Sequence, residues 1–210
     1  MNPLPPGTDG AIPPYLQKLL PPASRRFGVF GDTGTCLFHA IATAITGRIS
    51  KRAGYRLRAR IAADTDEEKW RRGWRSYNFK TPPVDLKTFQ RKMNDVGVWA
   101  DMDIIPYIMW YLNLNLNFFD DTQVYCGVQY YDENRPNVFI MWVRKSHFEP
   151  VLTLEANKWS GIYGDDVARK IATYYANTCR GFSRGFFTSL IRPRPRPRRR
   201  TPEAFPGRRI

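Results

Sequence analysis

The chain has 210 residues, of which 42% are hydrophobic and 14% aromatic, and this composition excludes a wholly disordered protein. No apolar run approaches the ~20 residues that cross a membrane, and residues 1–23 lack the basic and apolar regions of a secretory signal. We therefore expect no membrane partner. The net charge of +14 is unevenly placed: residues 181–210 carry +8 and residues 48–80 carry +7, whereas the remainder is close to neutral.

Three cysteines and two histidines limit the chemistry that the chain can perform. Cys36, Cys126 and Cys179 cannot form a fully paired disulfide framework, which favours a reducing, intracellular location. His39 and His147 occur without a CxxC or HxxxH pattern, so we expect no metal site.

Differences in composition divide the chain into three segments. Residues 1–23 contain seven prolines and are interpreted as an extended, Pro-rich N-terminal arm, whose pairs Tyr15-Leu16 and Leu19-Leu20 are candidates to pack on the folded body. Residues 24–180 form the predicted folded domain. Residues 181–210 include RPRPRPRRR, which favours neither helix nor sheet, so we expect a flexible basic tail. The tail is interpreted either as a contact for nucleic acid or an acidic partner, or as a solvated segment that keeps the protein soluble.

The first predicted element of the folded domain is a helix that begins at Cys36, because the apolar residues that follow leave almost no polar face. Gly47 is expected to end this helix, and Thr33 or Thr35 to cap its start. The free N–H groups and the dipole at a helix N-terminus favour thiolate over thiol. Cys36 is therefore either a prepared nucleophile or a small buried residue that starts a core helix.

Two further helices are predicted in the basic internal segment. Apolar residues at helical spacing indicate a helix in residues 53–63. Residues 64–74 place acids before bases, as a helix start prefers, with Trp70 and Trp74 on one face. Interleaved cations and aromatics suit RNA binding, but they also suit a solvated helix whose tryptophans anchor it to the core.

Strands are predicted mainly in the second half of the domain. A helical apolar stripe precedes them, formed by Val84, Leu86, Phe89, Met93 and Val96. Asp103 is expected to cap a helix over residues 104–112, and the alternation LNLNLNFF predicts a strand directly after it. The remaining predicted elements are strands at 123–131, 137–143 and 147–154 and a helix capped by Asp165. This order indicates an α+β fold with a small, mostly antiparallel central sheet flanked by helices.

A nucleophilic cysteine needs a base that titrates near neutrality, and the two histidines are the candidates. His39 lies on the same predicted helix as Cys36, whereas His147 begins a strand. Glu149, two residues further along that strand, points to the same side as His147 and can orient its ring. The spacing allows a Cys–His–acid site, although a single histidine in a strand is commonly structural.

These motifs together resemble a known family. Residues 32–41, DTGTCLFHAI, resemble the nucleophile motif of ovarian-tumour (OTU) cysteine proteases, in which an Asp-Gly-x-Cys turn precedes an apolar helix. Residues 147–151, HFEPV, resemble the histidine motif of that family. Residues 98–119, VWADMDIIPYIMWYLNLNLNFF, resemble its Trp-containing segment, helix and following strand. The resemblance covers residues 24–155 and is similar in style to compact viral members.

The resemblance implies a papain-related fold and deubiquitinase activity without a cofactor. The implied reaction is hydrolysis of the isopeptide bond at the C-terminus of ubiquitin or of a ubiquitin-like modifier, which is then the expected partner of a monomeric enzyme. The viral members further imply a protein that acts in host immune evasion, in the host cytoplasm or nucleus.

Carried over to this chain, the family motifs imply that Cys36 is the nucleophile, His147 the base and Glu149 the orienting acid. The oxyanion hole is implied to be the backbone N–H groups of the turn before the helix, formed by Thr33, Gly34, Thr35 and Cys36. Gly34 is expected to let the backbone approach the substrate carbonyl.

Four further residues are implied candidates for substrate binding. Trp99 is expected either to line the cleft or to be buried in the core. Asp101 and Asp103 are expected either to complement the basic tail of ubiquitin or to act as helix caps and turn residues. Phe148 is the aromatic residue of the histidine motif.

The chain departs from the family pattern in the turn before the cysteine. The family usually has Asp three residues before Cys, where this chain has Thr33, and Asp32 lies one residue earlier. Asp32 is therefore a second candidate for the triad acid or for shaping the oxyanion turn. An alternative function is a catalytically weak OTU-like scaffold that binds nucleic acid or an acidic partner through its basic segments. His39 is expected to be structural.

Overall fold

The computed structural model describes residues 1–31, 34–100, 103–120, 125–127, 132–144 and 146–178. Its helices are α1 Pro14–Gln17, α2 Cys36–Thr46, α3 Ala53–Asp64, α4 Glu67–Arg75, α5 Leu86–Asn94, α6 Ile105–Leu112 and α7 Asp165–Thr178. Its strands are β1 Asp9–Gly10, β2 Ser24–Phe27, β3 Asn115–Asp120, β4 Tyr125–Gly127, β5 Asn137–Val143, β6 His147–Glu155, β7 Lys158–Ser160 and β8 Ile162–Tyr163. In the described part of the chain, no helix is long and apolar enough to cross a membrane.

The strands form a mixed sheet in the order β1-β2-β6-β5-β3-β4, with β7 beside β6 and β8 beside β5. All of these pairs are antiparallel except β3 and β5, which run parallel from Asn115↔Asn137 to Asp120↔Trp142. The parallel pair arises because β4 returns antiparallel along one edge of β3, so that β5 resumes the direction of β3 on its other edge. The predicted α+β class with a mostly antiparallel sheet is confirmed.

The sheet is buried on both faces by two apolar clusters. One cluster lies between the sheet and α2, α5 and α6, and it contains Leu116 and Phe118 of β3. The second cluster lies on the other face and joins α1 and α7 to β5 and β6. The asparagines of β3 are buried as well. Their burial is tolerated because Asn115 donates side-chain hydrogen bonds to the carbonyls of Asp132 and Arg135, and Asn117 donates to Asn137 and Val138. The alternation of apolar and asparagine side chains along β3 thus separates two faces of the sheet that are both buried.

The N-terminal segment packs on the folded body. Leu16, Leu19 and Leu20 are buried in the second cluster, with Tyr15 packed against it, as their apolar character suggested, and Ile12 joins them there. The strand β1 also pairs with β2 and covers what would otherwise be an open sheet edge. The apolar side chains of this segment therefore join the core despite its prolines.

The helix ends follow the sequence signals in most cases. Gly47 ends α2 in the left-handed conformation with φ 65°, as predicted. Asp66 caps α4 by accepting a hydrogen bond of 2.7 Å from the N–H of Lys69. The predicted cap of α6 is wrong: Ile104 occupies the N-cap position without a side-chain hydrogen bond, and Asp103 instead forms an ion pair with Lys92.

The tryptophans of α4 anchor it to the core. Trp70 and Trp74 are each 1% exposed, and the Trp70 ring lies 4.5 Å from the rings of both Phe89 and Tyr107. Buried rings cannot stack on nucleic-acid bases, so the structure favours the core-anchoring interpretation of this segment. The predicted flexible tail, residues 181–210, and Cys179 lie outside the described residues.

Candidate active site

Cys36 is the first residue of α2, and its side chain is fully buried. Thr35 occupies the N-cap position with φ −99° and makes no side-chain capping hydrogen bond, while Thr33, the other predicted cap, lies outside the described residues. The helix packs against β6, the strand that carries His147. The local sequence therefore determines that α2 begins at Cys36. The packing of α2 against the sheet places this N-terminal end next to β6.

The pKa of the Cys36 thiol is raised, and the largest cause is its burial, which penalises the charged thiolate. Backbone N–H groups of Phe148, Leu37 and Cys36, and the charge of Arg58, lower the pKa and oppose this effect without overcoming it. The N–H groups at the start of α2 thus favour thiolate, as the sequence predicts, but burial outweighs them. The free protein holds a neutral thiol at neutral pH, because desolvation outweighs the N–H groups.

His147 begins β6 and pairs with Val143 of β5. Burial is the largest influence on its pKa and lowers it, while the charge of Glu149 and the backbone of Gly31 and Val29 act in the opposite direction. The imidazole is therefore neutral at neutral pH and able to accept a proton. Its Nε2 atom is buried without a hydrogen-bond partner among the residues that the structure describes.

Gly31 contacts both Cys36 and His147. It adopts φ +133°, and a Cβ atom there would lie 2.6 Å from Cα of Cys36. The backbone of the same residue hydrogen-bonds the His147 ring, and the backbone of Phe148 hydrogen-bonds the Cys36 thiol. Cys36 and His147 thus both contact Gly31, at a position that only a residue without a side chain can occupy.

Glu149 is fully buried beside the histidine. Its Oε2 atom accepts a hydrogen bond of 2.7 Å from Nη1 of Arg26 in β2, and its Oε1 atom accepts one of 2.5 Å from the N–H of Leu4. A carboxylate has about four lone-pair sites, so these two bonds leave acceptor capacity. Glu149 is near enough to His147 for its charge to raise the histidine pKa, as the two-residue spacing on one strand predicts.

The turn before the cysteine is only partly described. Asp32 and Thr33 lie outside the described residues, so neither is placed. A Cβ atom on Gly34 would lie 2.3 Å from the carbonyl oxygen of Val98. Close packing on residues 98–99 therefore requires a glycine at this position. The expectation that Gly34 also lets the backbone approach a substrate carbonyl stays a prediction.

The predicted substrate-binding residues occupy different environments. Trp99 is 40% exposed, and its ring lies 6.1 Å from that of Phe148. Phe148 is buried and stacks on Trp142 at 6.0 Å, so its side chain belongs to the core and not to an open cleft. Asp103 lies 2.7 Å from Nζ of Lys92, which neutralises its charge. Asp101 lies outside the described residues.

His39 packs between α2 and α3. It is 2% exposed, and its Nδ1 atom accepts a hydrogen bond of 3.3 Å from the N–H of Gly54. Its ring packs edge-on against Tyr55 at 5.1 Å. Burial lowers the pKa of His39, which keeps the ring neutral as a hydrogen-bond acceptor. These contacts agree with the structural role expected for it.

Two buried arginines were missed by the sequence analysis. Arg26 holds Glu149, and Arg58 donates hydrogen bonds to the loop beside the cysteine. The spacing around Arg58 contained a signal, since it lies three residues before the buried Ile61 and four after the buried Gly54 on one helix. No comparable pattern pointed to Arg26, because the sequence of β2, SRRF, lacks the alternation of apolar and polar residues that predicts a buried face.

In the part of the chain that the structure describes, no three His, Cys, Asp or Glu side chains form a group that could hold a metal ion.

Comparisons with known proteins found similarity at the level of solved structures. No protein-family model and no curated protein matches the chain. The OTUD1 OTU domain is 17% identical, with a TM-score of 0.47 over 65% of this chain and 89% of that domain. The viral OTU domain protease from Taggert virus is 14% identical, with a TM-score of 0.46 over 68% of this chain and 95% of the viral domain. An OTU domain solved in complex with ubiquitin is 18% identical, with a TM-score of 0.46, covering 76% and 91% respectively.

The pKa directions predict how the thiol reacts. We expect the rate of alkylation of Cys36 by iodoacetamide to rise with pH through an apparent pKa above that of an ordinary cysteine, because burial disfavours the thiolate. The measurement is the second-order rate constant at several pH values, corrected by the rate for Cys36→Ala. A rate that is already maximal below neutrality would instead indicate a preformed thiolate–imidazolium pair.

Proposed function

We propose that the chain is an OTU-type cysteine protease that hydrolyses isopeptide bonds at the C-terminus of ubiquitin or of a ubiquitin-like modifier. The observation that carries the proposal is the meeting of Cys36 and His147 at Gly31. These two residues stand at the positions where the sequence resembles the nucleophile and histidine motifs of that family.

The protonation states support general-base activation of the thiol. As the sulfur of Cys36 attacks the carbonyl carbon, His147 accepts the thiol proton, so that charge develops only when the reaction begins. The carbonyl oxygen becomes an oxyanion, which the N–H of Cys36 stabilises from the first turn of α2. The amine then leaves with the proton from His147, and a thioester remains on Cys36.

Hydrolysis of the thioester repeats the same steps with water. His147 removes a proton from water as the oxygen attacks the thioester carbon, and the thiol of Cys36 leaves with that proton. In this scheme Glu149 stabilises the imidazolium in both halves of the reaction. Because the side chain of Cys36 is fully buried, a substrate must displace the groups that cover the sulfur before either half begins.

The decisive experiment uses ubiquitin and a ubiquitin-like modifier that each carry a thiol-reactive group at the C-terminus. We expect one of these probes to label the wild-type protein at Cys36, and the adduct to disappear in Cys36→Ala. The matched controls are Cys126→Ala and Cys179→Ala, which should be labelled as the wild type is. The readout is the mass of the intact adduct and of its peptides.

Two outcomes would overturn the protease proposal. One is labelling that survives Cys36→Ala, and the other is a folded wild-type protein that neither probe labels. The second outcome would favour the alternative of an OTU-like scaffold, which binds nucleic acid or an acidic partner. The exposed cations available for that role in the described part include Arg48, Lys51, Arg52 and Arg56.

A further inference from the structure

Arg58 lies in the middle of α3 and is only 2% exposed, although it carries a full positive charge. Its guanidinium group donates hydrogen bonds to six backbone carbonyls that converge on it. Nε bonds Met93 at 2.9 Å, Nη1 bonds Gly34 at 3.1 Å and Val96 at 3.5 Å, and Nη2 bonds Lys92, Asp95 at 2.6 Å and Val98 at 2.7 Å. The whole donor fork of the side chain is used, as the burial of a charge requires.

The six carbonyls belong to two separate segments. Five of them come from the last turn of α5 and the loop that follows it, residues 92–98, where the negative end of a helix dipole also favours a cation. The sixth belongs to Gly34, two residues before Cys36. Arg58 therefore joins the loop of residues 92–98 to the turn that precedes the cysteine.

Two further contacts place Arg58 against the same turn and helix. The Val98 carbonyl oxygen accepts a hydrogen bond from Nη2 of Arg58. A Cβ atom on Gly34 would lie 2.3 Å from the same oxygen, so the turn, the loop and the guanidinium group are in direct contact. The guanidinium carbon also lies 5.1 Å from the ring centroid of Phe38, which is on the same helix as Cys36.

We propose that Arg58 is a positioning residue of the candidate site, which holds the turn before Cys36 against residues 92–98 and supplies positive charge next to the sulfur. This inference rests on the proposed protease function. Two effects are combined in one side chain. The fork of N–H groups sets the geometry of the turn, and the charge stabilises the thiolate that forms during attack.

The electrostatic coupling supports the second effect. Burial is the largest influence on the pKa of Arg58 and lowers it, while the charges of Asp95 and of the Cys36 thiolate act in the opposite direction. The charge of Arg58 in turn lowers the pKa of Cys36, together with the larger effects of the backbone N–H groups of Phe148, Leu37 and Cys36. His147 on β6 is also titratable, and burial lowers its pKa, so that its ring is neutral at neutral pH. Arg58 is thus a charged side chain that lowers the pKa of the thiol against the larger effect of burial.

Two substitutions separate geometry from charge. Arg58→Lys keeps the positive charge but cannot reach six carbonyls, because an ammonium group has three donors on one nitrogen. Arg58→Gln removes the charge and most of the donors. Arg60→Gln is the matched control, since Arg60 lies on the same helix with 77% of its side chain exposed.

The test measures two properties of each folded variant: the pH profile of iodoacetamide alkylation at Cys36, and labelling by the ubiquitin-type probe that reacts with the wild type. We expect Arg58→Gln to raise the apparent pKa of Cys36 and to lower the alkylation rate near pH 8 by about two- to threefold, because the charge of Arg58 is a smaller influence on this pKa than the backbone N–H groups. We expect Arg58→Lys to keep a nearly wild-type alkylation profile but to be labelled by the probe at least about tenfold more slowly, because the turn is no longer held. Arg60→Gln should match the wild type in both.

The outcomes that overturn the inference differ from those that overturn the protease proposal. An unchanged alkylation profile in Arg58→Gln would overturn the effect of charge, and unchanged probe labelling in Arg58→Lys would overturn the effect on geometry. Both results together would show that Arg58 only stabilises the fold. If Arg58→Gln does not fold, the alkylation profile is measured on Arg58→Met in a protein that carries stabilising substitutions away from the site. Arg58→Met then tests the effect of the charge, and probe labelling of Arg58→Lys tests the effect of the hydrogen bonds on the geometry of the turn. If no probe labels the wild type, the protease proposal fails, while the alkylation profiles still report whether Arg58 acts on Cys36.

Discussion

Glu149→Gln is expected to lower kcat by roughly tenfold to a thousandfold, because glutamine keeps the shape of the side chain but removes its charge. The charge of Glu149 raises the pKa of His147, so its loss makes the histidine a weaker base and leaves the imidazolium less stable. The measurement is kcat and KM on a fluorogenic substrate of the ubiquitin C-terminus, with folding checked by circular dichroism. A loss in kcat with little change in KM is the expected result.

Two other variants test the structural role of His39 and the choice between Asp32 and Glu149 as the acid that orients His147. His39→Gln is expected to change the melting temperature more than kcat, since His39 bonds Gly54 and lies in the interface of α2 and α3. Asp32→Asn is expected to cost less in kcat than Glu149→Gln. A folded Glu149→Gln enzyme with wild-type kcat, beside an inactive Asp32→Asn, would reverse the assignment and place the orienting acid before the cysteine.

Arg26→Met is expected to destabilise the protein by about 3–5 kcal/mol, because it leaves the Glu149 carboxylate buried without its ion-pair partner. Arg26 and Glu149 are 10% and 0% exposed at their side chains, and their closest atoms are 2.7 Å apart. Few solvent contacts remain to compensate a lone carboxylate at this position. The measurement is the free energy of unfolding in urea.

The neighbouring strand residue offers a matched control. Arg25 lies next to Arg26 in β2 but is exposed, so Arg25→Met should change the free energy of unfolding by less than about 1 kcal/mol. In the double variant Arg26→Met with Glu149→Gln, the buried charge is gone, and we expect part of the lost stability to return. Additive losses in the double variant would show that the ion pair contributes nothing specific to stability.

The environment of Glu149 includes the N-terminal segment. Leu4 donates its N–H to the Glu149 carboxylate, and Arg26 also donates to the carbonyls of Asn2 and Ala11. Residues 1–11 therefore take part in holding the proposed orienting acid. Leu4 and Glu149 lie 145 residues apart, so the sequence does not reveal this contact.

Local sequence determined most of the helices and their ends. Gly47 has no side chain to oppose a left-handed C-cap, and Asp66 places a carboxylate where free helix N–H groups need an acceptor, so both signals act without help from distant residues. The alternation in residues 112–118 likewise determined which side chains of β3 share a face. It did not reveal that β3 pairs parallel to β5, because pairing direction depends on the path of the whole chain.

The sequence also indicated which chemical groups belong to the candidate site. Local spacing made Cys36, at the start of an apolar helix, and His147, two residues before Glu149, candidates only, and the resemblance of their motifs to a family singled them out. Their meeting at Gly31, and the neutral state of the thiol, depend on how α2 packs against β6. Burial outweighs the helix N-terminus at the sulfur, and the degree of burial is a property of the tertiary structure.

The partners of the buried arginines were decided by the tertiary structure alone. Helical spacing places Arg58 on the same face as Gly54 and Ile61, but arginines are usually exposed, and the sequence does not show what would accept the hydrogen bonds of a buried one. For Arg58 those acceptors are carbonyls of residues 92–98 and Gly34, and for Arg26 the main acceptor is Glu149. Each set forms only after distant segments have packed together, because backbone carbonyls and a buried carboxylate become available to a guanidinium group only when the fold brings them to it.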